Sequence, residues 1–473
     1  MFYMSPTNDL KQPLPKLGVL ALMLEAYEPI FPGIIARQTD YVREVLTDLA
    51  GTAAFRFDRL ALNRADIERM TAEYNREGLD GILILLCSYS QGQYLVRAMQ
   101  ENRLPLALAL IQPDETVGDD FEELELTVNQ GIHGSQDNAN ALLRAGIPCA
   151  YYAGSRMDGK LAAFLADFGA AAQTVRRMKT MRIGIIGKLA GMGDVVTDDM
   201  AFFRKLGPEF IYDSIGTVTK CVEQVSQDVV AERVALERKI FEVDPAMPPE
   251  RHACAVRLYL GIKQYVESNG YAGYTAHFEE FGADGRYDQL PLLAASNLLA
   301  EGYGYAAEGD ASCAAMVASM HTLCGMANFS EMYMMDLKRD AILLCHAGEG
   351  NWKTCRKDCK PFLMDRVFNE GGLSNPPTPI FAPDAGRASL ISIVHLGGER
   401  FRLVSAHGTL PEQPKLNKID MPYIFFQPDS GAATLAQRWL EAGGTHHETV
   451  VYGDYRARIR LFAQLLNLEY VEL

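Results

Sequence analysis

Short, unbroken apolar runs alternate with amphipathic stretches through the first third of the chain. The runs at 17–24, 81–87, 105–111 and 147–153 read as buried strands. The segments at 34–49, 93–102, 135–145 and 159–180 carry apolar residues at three- and four-residue spacing and read as helices, with Ser135 placed as an N-cap. Such alternation predicts βα units built on a mostly parallel sheet. A second stretch of this kind opens at Met181, just past the basic helix tail Arg176-Arg177-Met178-Lys179. Its expected strands are the start of MRIGIIGKLAGMGD, 209–214 and 271–278. Its expected helices are 199–206, 218–241, 248–267, 289–299 and 311–323. Beyond residue 327 the texture changes to strand-like runs at 329–336, 341–346, 389–396, 401–406 and 423–427, closed by helices at 432–442 and 455–466. The Pro-rich segment 374–384 reads as an ordered surface loop. The predicted architecture is α/β: two doubly wound domains, 1–178 and 179–326, followed by an antiparallel, barrel-like domain, 327–473.

Two carboxylates stand out against this pattern. Glu308 follows a Gly/Tyr-rich run, and Glu331 opens an apolar strand, where a buried charge is costly without a partner. The runs on either side of Lys338-Arg339 read as a hairpin. With the turn centred there, Glu331 faces His346, close enough for the two side chains to share a metal ion. The segment EAGGTHHETV adds His446 and His447, which alternation on an extended strand points to opposite faces. Two carboxylates and two imidazoles suit Mn²⁺ or a similar divalent cation better than the thiolate sites zinc favours. Open α/β sheets bind ligands beyond the carboxyl ends of their strands, which singles out the polar stretch Asn129-Gln130-Gly131-Ile132-His133.

Charge and composition narrow the partners. A net charge of −15 argues against nucleic acid, which needs a basic face, and gives no attraction to an anionic membrane. No apolar run approaches the roughly 20 residues of a membrane span. The first residues lack the basic start and apolar core of a secretory signal, so a cytoplasmic location is expected. The nine cysteines form no paired framework. Cys355 and Cys359 are too few for a zinc site without further ligands, and reduced thiols are expected. The loop with Gly184, Gly187, Gly191 and Gly193, with Asp213 following, invites a nucleotide-dependent oxidoreductase reading, but the G-x-G-x-x-G order is absent.

At these residues the sequence resembles the L-arabinose isomerase family, within the fucose/arabinose isomerase group. The resemblance rests on QLP…LAEGYGYAAEGD, FSEM, the isolated His346, EAGGTHHE and the segment NQGIHG, all in family order. It implies three domains and a Mn²⁺-dependent aldose–ketose isomerase acting on an unphosphorylated sugar, assembled as a homo-oligomer, usually a hexamer in that family. By the same resemblance the metal ligands are Glu308, Glu331, His346 and His447, with Glu308 and Glu331 catalytic. Gln130, His133, Phe281 and Met192 match substrate-contacting positions. The chain departs from the family where LEAYEPIFPG replaces a GSQHLYG-like segment, where Ala-Ser-Cys-Ala follows Asp310, and where AGEGNW follows His346. The resemblance therefore specifies the reaction more closely than the substrate. A non-catalytic sugar-binding protein is the alternative from another class.

Overall fold

The computed structural model describes residues 13–282, 285–368 and 372–473. The N-terminal residues read above for a secretory signal fall largely outside that part. The chain divides into two compact units. One runs through Arg176 and takes in Ala457–Asn467; the other comprises Arg177–Arg456 and Leu468–Leu473.

The first unit is a five-stranded parallel sheet, in the spatial order Ala54–Arg56, Lys16–Leu22, Gly81–Leu86, Leu106–Leu110, Ala150–Ala153. The sequences GILILL and LALAL are apolar at nearly every position, because helices cover both faces of a parallel sheet and leave no solvent side to alternate towards. Backbone and side chains approach closely there: a Cβ on Gly18 would lie 2.5 Å from the Tyr74 ring, whose hydroxyl donates to the Val19 carbonyl at 2.9 Å. The helix Arg456–Leu465 belongs largely to this unit, with Ile459, Phe462 and Ala463 fully buried. Gln464 Nε2 donates to the Cys149 carbonyl at 2.7 Å, and Arg458 pairs with Asp167 at 2.9 Å.

The second unit holds a four-stranded parallel sheet and a seven-stranded sheet. The parallel sheet runs Gly304–Ala307, Gly273–Ala276, Arg182–Ile186, Glu209–Tyr212. The seven-stranded sheet runs Gly386–His395, His447–Tyr452, Ala327–Asp336, Ala341–Cys345, Tyr423–Pro428, Phe401–Leu410, Glu469–Glu472. Pairing of Gly386–His395 with Phe401–Leu410 closes it into a barrel, antiparallel except for the final strand. Its interior packs Leu344, Leu390, Ala406, Phe426 and Val450, and the helix Ala432–Ala442 adds Leu435 and Trp439.

Several expectations are corrected. ELELTVN is the helix Glu123–Asn129 and not a strand end, because its two acids, Glu123 and Glu125, and its Leu-Thr-Val run satisfy helical as well as alternating periodicity. The next helix starts at Gly131, so Ser135 lies buried inside it and is not its cap. His133 therefore stands in a helix's first turn rather than in a loop. The stretch 218–241 is two helices, Ile215–Glu223 and Gln227–Ile240, with Ser226 capping the second at the Val229 amide. Within 374–384, Pro377–Ile380 is a buried strand, paired with Phe362–Asp365.

Candidate metal centre and active site

Glu308 follows the last residue of the strand Gly304–Ala307 and takes a left-handed conformation, φ 63°. A non-glycine residue there is strained by roughly 1–2 kcal/mol, and such strain persists only where surroundings fix it. Here the Glu308 amide donates to the Ala276 carbonyl at 2.9 Å, its carbonyl accepts from Leu189 at 2.9 Å, and the Gly309 amide donates to Thr275 Oγ1 at 3.0 Å. Gly309, at φ 88°, admits no side chain, because a Cβ would stand 2.5 Å from the Lys188 Cα. Asp310 then caps the helix Ala311–Cys324, its Oδ1 accepting from the Cys313 amide at 3.0 Å.

Glu331 lies in the strand Ala327–Asp336, and its ladder partners differ from the hairpin expectation. The register of the hairpin shifts between Met332 and Met334, so Glu331 pairs with Cys345 and not with His346. The extra residue is Tyr333, a β-bulge that moves every pair beyond it by one. On its other side Glu331 pairs directly with His447, the first residue of His447–Tyr452. His346 still reaches the site from just past the end of Ala341–Cys345, with Nε2 3.5 Å from Glu331 Oε1.

The side chains converge. His447 Nε2 is 3.1 Å from Glu331 Oε1 and 3.5 Å from Glu308 Oε2, and Phe329 stands edge-on to His346 and His447, 5.0 Å from each ring. His446 precedes the strand, so strict alternation does not govern it, and the expected opposition of the two histidines fails: their rings are 4.2 Å apart. One ligating atom each from Glu308, Glu331, His446 and His447 lies within 4.8 Å of the others. Both buried histidines are oriented from behind by a carboxylate. His447 Nδ1 donates to Asp310 Oδ2 at 2.9 Å, and His346 Nδ1 donates to Glu349 Oε2 at 2.8 Å. That fixes the tautomer and aims each Nε2 into the site. Glu349 Oε1 in turn accepts from the Tyr305 hydroxyl at 2.7 Å.

Electrostatics follow this geometry. Burial works against the charged form of His447, but the Asp310, Glu308 and Glu331 carboxylates push its pKa up to about 12. Burial likewise opposes His346, and Glu349 raises it. For Glu349, burial raises the pKa and His346 lowers it, leaving it at about 2. His447 Nε2, for all its closeness to two carboxylates, is buried without a hydrogen bond, aimed between them.

The cluster ends a cavity of about 200 Å³ that opens to solvent. Phe278, Phe281, Leu290, Tyr333 and Phe368 wall it, while Glu308, Glu331, His346 and Glu349 supply its polar end. Phe281 thus joins Glu308, Glu331 and His346 around the cavity, with His447 beside them. Met192 is half-buried in the glycine-rich loop and does not line this cavity. That loop also carries Asp194, whose Oδ2 accepts from the His446 amide at 2.8 Å and lies 2.7 Å from His446 Nδ1. Asp213, the acid on which the nucleotide reading relied, accepts from the Tyr265 and Tyr271 hydroxyls at 2.8 and 2.6 Å on a single oxygen. Gln130 and His133 lie in the other unit. Gln130 Nε2 donates to Ser88 Oγ at 2.9 Å, and the exposed His133 packs against Tyr89 with the rings tilted by 35° and 5.1 Å apart.

Asp310, Glu349, Asp194 and Phe329 were not singled out by sequence reasoning. The available signals were local: Asp310 at a helix-start position two residues from Glu308, and Glu349 three residues beyond His346. His446 was seen, but only as one of a pair expected to point apart.

A solvent-open aromatic cavity ending on two carboxylates and a set of carboxylate-oriented imidazoles defines an enzyme that handles a small polar molecule. The L-arabinose isomerase central domain matches residues 192–326, and the L-arabinose isomerase C-terminal domain matches 326–469. The chain is 24% identical over 429 residues to an L-arabinose isomerase of Clostridium beijerinckii, covering 88% of this chain and 85% of that one. L-arabinose isomerase 1 of Bacillus licheniformis is 25% identical over 431 residues, with the same coverage, 88% and 85%. The enzyme of Levilactobacillus brevis is 27% identical over 413 residues, covering 84% of each chain. The chain belongs to the L-arabinose isomerase family as a divergent member, and it is an aldose–ketose sugar isomerase. A merely sugar-binding role is thereby set aside.

Proposed function

We propose that the protein is a divalent-cation-dependent isomerase that interconverts an unphosphorylated aldose, L-arabinose or a related sugar, with its ketose through a cis-enediol. The observation that carries this reading is the convergence of Glu308, Glu331 and His447 around a buried imidazole nitrogen that no hydrogen bond satisfies. Carboxylate oxygens and neutral imidazole nitrogens suit Mn²⁺ or a similar cation, and two neighbouring carboxylates gain from its charge. Glu308, Glu331, His346 and His447 would hold the ion, with His446 close enough to take part. Bound there, the cation would polarise the substrate's O1 and O2 and stabilise the oxyanion that develops on them.

The chain's own groups account for the rest. Glu308 and Glu331 flank the position of the diol and act as the acid–base pair, one removing the C2 proton and returning it to C1, the other serving the exchange of hydroxyl and carbonyl character between O1 and O2. Asp310 and Glu349 hold the imidazoles in one tautomer through the cycle. Phe278, Phe281 and Phe368 exclude water from the far wall. No Lys or Arg is among the described residues that line the cavity, which suits a sugar without phosphate. Gln130 and His133 are assigned to distal hydroxyls by family position, and Met192 to substrate contact on the same ground alone. We infer as well a homo-oligomer, of the hexameric kind, in the cytoplasm, with domain limits near 178 and 326.

The test is direct. Protein stripped with a chelator should regain aldose isomerisation on adding Mn²⁺, across a panel of aldopentoses and aldohexoses. Glu308→Gln should abolish turnover with the fold unchanged by circular dichroism. Full activity in that variant would remove Glu308 from the mechanism.

A further inference from the structure

A pair of side chains outside the cavity is arranged for chemistry that isomerisation does not use. Past Glu349 the chain makes the short helical turn Trp352–Thr354 and enters the segment from Cys355 to Cys359. The start of that segment is anchored: the Cys355 amide donates to the Trp352 carbonyl at 3.1 Å, Cys355 bridges to Pro383, and the Arg356 amide donates to the Ala382 carbonyl at 2.9 Å. The chain then turns back, with the Cys359 amide 3.5 Å from the Arg356 carbonyl, and the two sulfur atoms stand 3.9 Å apart. Cys359 is exposed and Cys355 half-buried. The other cysteines are elsewhere in the fold, and five of them, Cys87, Cys149, Cys313, Cys324 and Cys345, are buried.

The local charge is opposite to that of the whole chain. Lys353, Arg356, Lys357 and Lys360 surround the pair in sequence, and the acid between the cysteines, Asp358, is taken up by Arg356 at 2.7 and 2.6 Å. A basic surface attracts an anionic small-molecule disulfide such as that of glutathione. Zinc is not the better occupant, because it asks for four ligands, and the convergent His/Cys/Asp/Glu group found among the described residues is the one at Glu308.

We propose that Cys355 and Cys359 are a redox-modification site, which a small-molecule disulfide of the glutathione type converts into an intramolecular disulfide. The exposed Cys359 thiolate attacks one sulfur of the small disulfide, breaking its S–S bond and releasing one small thiolate. The Cys355 thiolate then attacks Cys359 Sγ, displacing the second small thiolate and forming the protein S–S bond. Two protein thiols lose two electrons and two protons, and the small disulfide takes them up as two thiols. Its exposure assigns the attack to Cys359, and the resolving step falls to the half-buried Cys355, whose thiol is pushed up to about 12 by burial and then by Cys359. Closing the bond brings the sulfurs to about 2.05 Å, a movement within reach of side-chain rotation, and ties a ring onto the segment that begins at His346.

Full-length protein equilibrated in buffers of graded glutathione disulfide to glutathione, quenched with an alkylating reagent and digested, reads the outcome by mass spectrometry. Tryptic peptides carrying Cys355 and Cys359 should appear joined, reversibly, while the buried cysteines stay alkylatable after denaturation. Cys355→Ser should accumulate glutathione on Cys359, and Cys359→Ser should form no internal bond. Both sites are on a loop surface, so both variants should fold. Free thiols at both positions in the most oxidising buffer, or joining of either cysteine to another partner, would overturn the proposal.

Discussion

Asp310 shows how much one side chain does here. Its Oδ1 caps the helix Ala311–Cys324 and its Oδ2 holds His447. Asn at that position keeps the capping oxygen and removes the charge. Asp310→Asn should therefore weaken Mn²⁺ binding by about 10–100-fold, the usual effect of losing an orienting carboxylate, while the metal-free protein melts within a few degrees of wild type. Isothermal titration together with a melting curve separates the two roles. Tyr305→Phe tests the chain one step further out, since its hydroxyl secures Glu349 behind His346. A hydrogen bond to a charged group is worth about 1.5–3 kcal/mol, and the expected result is lower metal affinity with substrate KM nearly unchanged at saturating Mn²⁺. The strained turn at Glu308 belongs to this scale too, because backbone bonds from Leu189 and to Ala276 set where its carboxylate points.

At the scale of elements, the strand His447–Tyr452 turns two neighbours to opposite fates. His447 faces the site, and Glu448 faces the barrel interior between Ser330 on one side and the strand Gly386–His395 on the other. Both Glu448 carboxyl oxygens are buried without a partner. Burial first, then repulsion from Glu331, raises its pKa well above the ordinary value, so the group is protonated in the folded protein. The folded state then binds a proton that the unfolded state gives up above pH 4.5, so the stability penalty grows as pH rises, by at most about 1.4 kcal/mol per pH unit. Glu448→Gln removes that term: the gain in melting temperature over wild type should be small at pH 5 and larger at pH 8. An equal gain at both would mean that Glu448 does not hold a proton. The hairpin at Leu337 carries the other element-scale lesson. Its turn falls where the sequence places it, since Asp336 pairs with Ala341, yet the bulge at Tyr333 redirects Glu331 from His346 to His447.

On the scale of the whole molecule, the chain returns to its first unit near its end. Phe462, fully buried on the helix Arg456–Leu465, packs in that unit's core although more than 280 residues of sequence intervene after Arg176. Phe462→Ala should cost about 3–5 kcal/mol, read as a lower midpoint in urea, with the Mn²⁺ affinity of the folded protein retained.

Periodicity and apolar runs determined the α/β class, the β-rich C-terminal region and most helices, because those signals depend on neighbours within a few residues. The residue types singled out Glu308, Glu331 and His346 as candidates, since isolated acids and histidines beside apolar runs are conspicuous, while the family resemblance chose His447 from the His446-His447 pair. What only the tertiary structure decided is which strands neighbour each other. His447 reaches Glu331 through a ladder between strands more than a hundred residues apart, His446 joins them from a loop that alternation does not govern, and Asp310 and Glu349 matter only once the imidazoles they face are in place. A one-residue bulge has no local signature in MYMMD, yet it reassigns every pair beyond it. Pairing energy is set by the partner strand, and the partner is known only when the sheet closes.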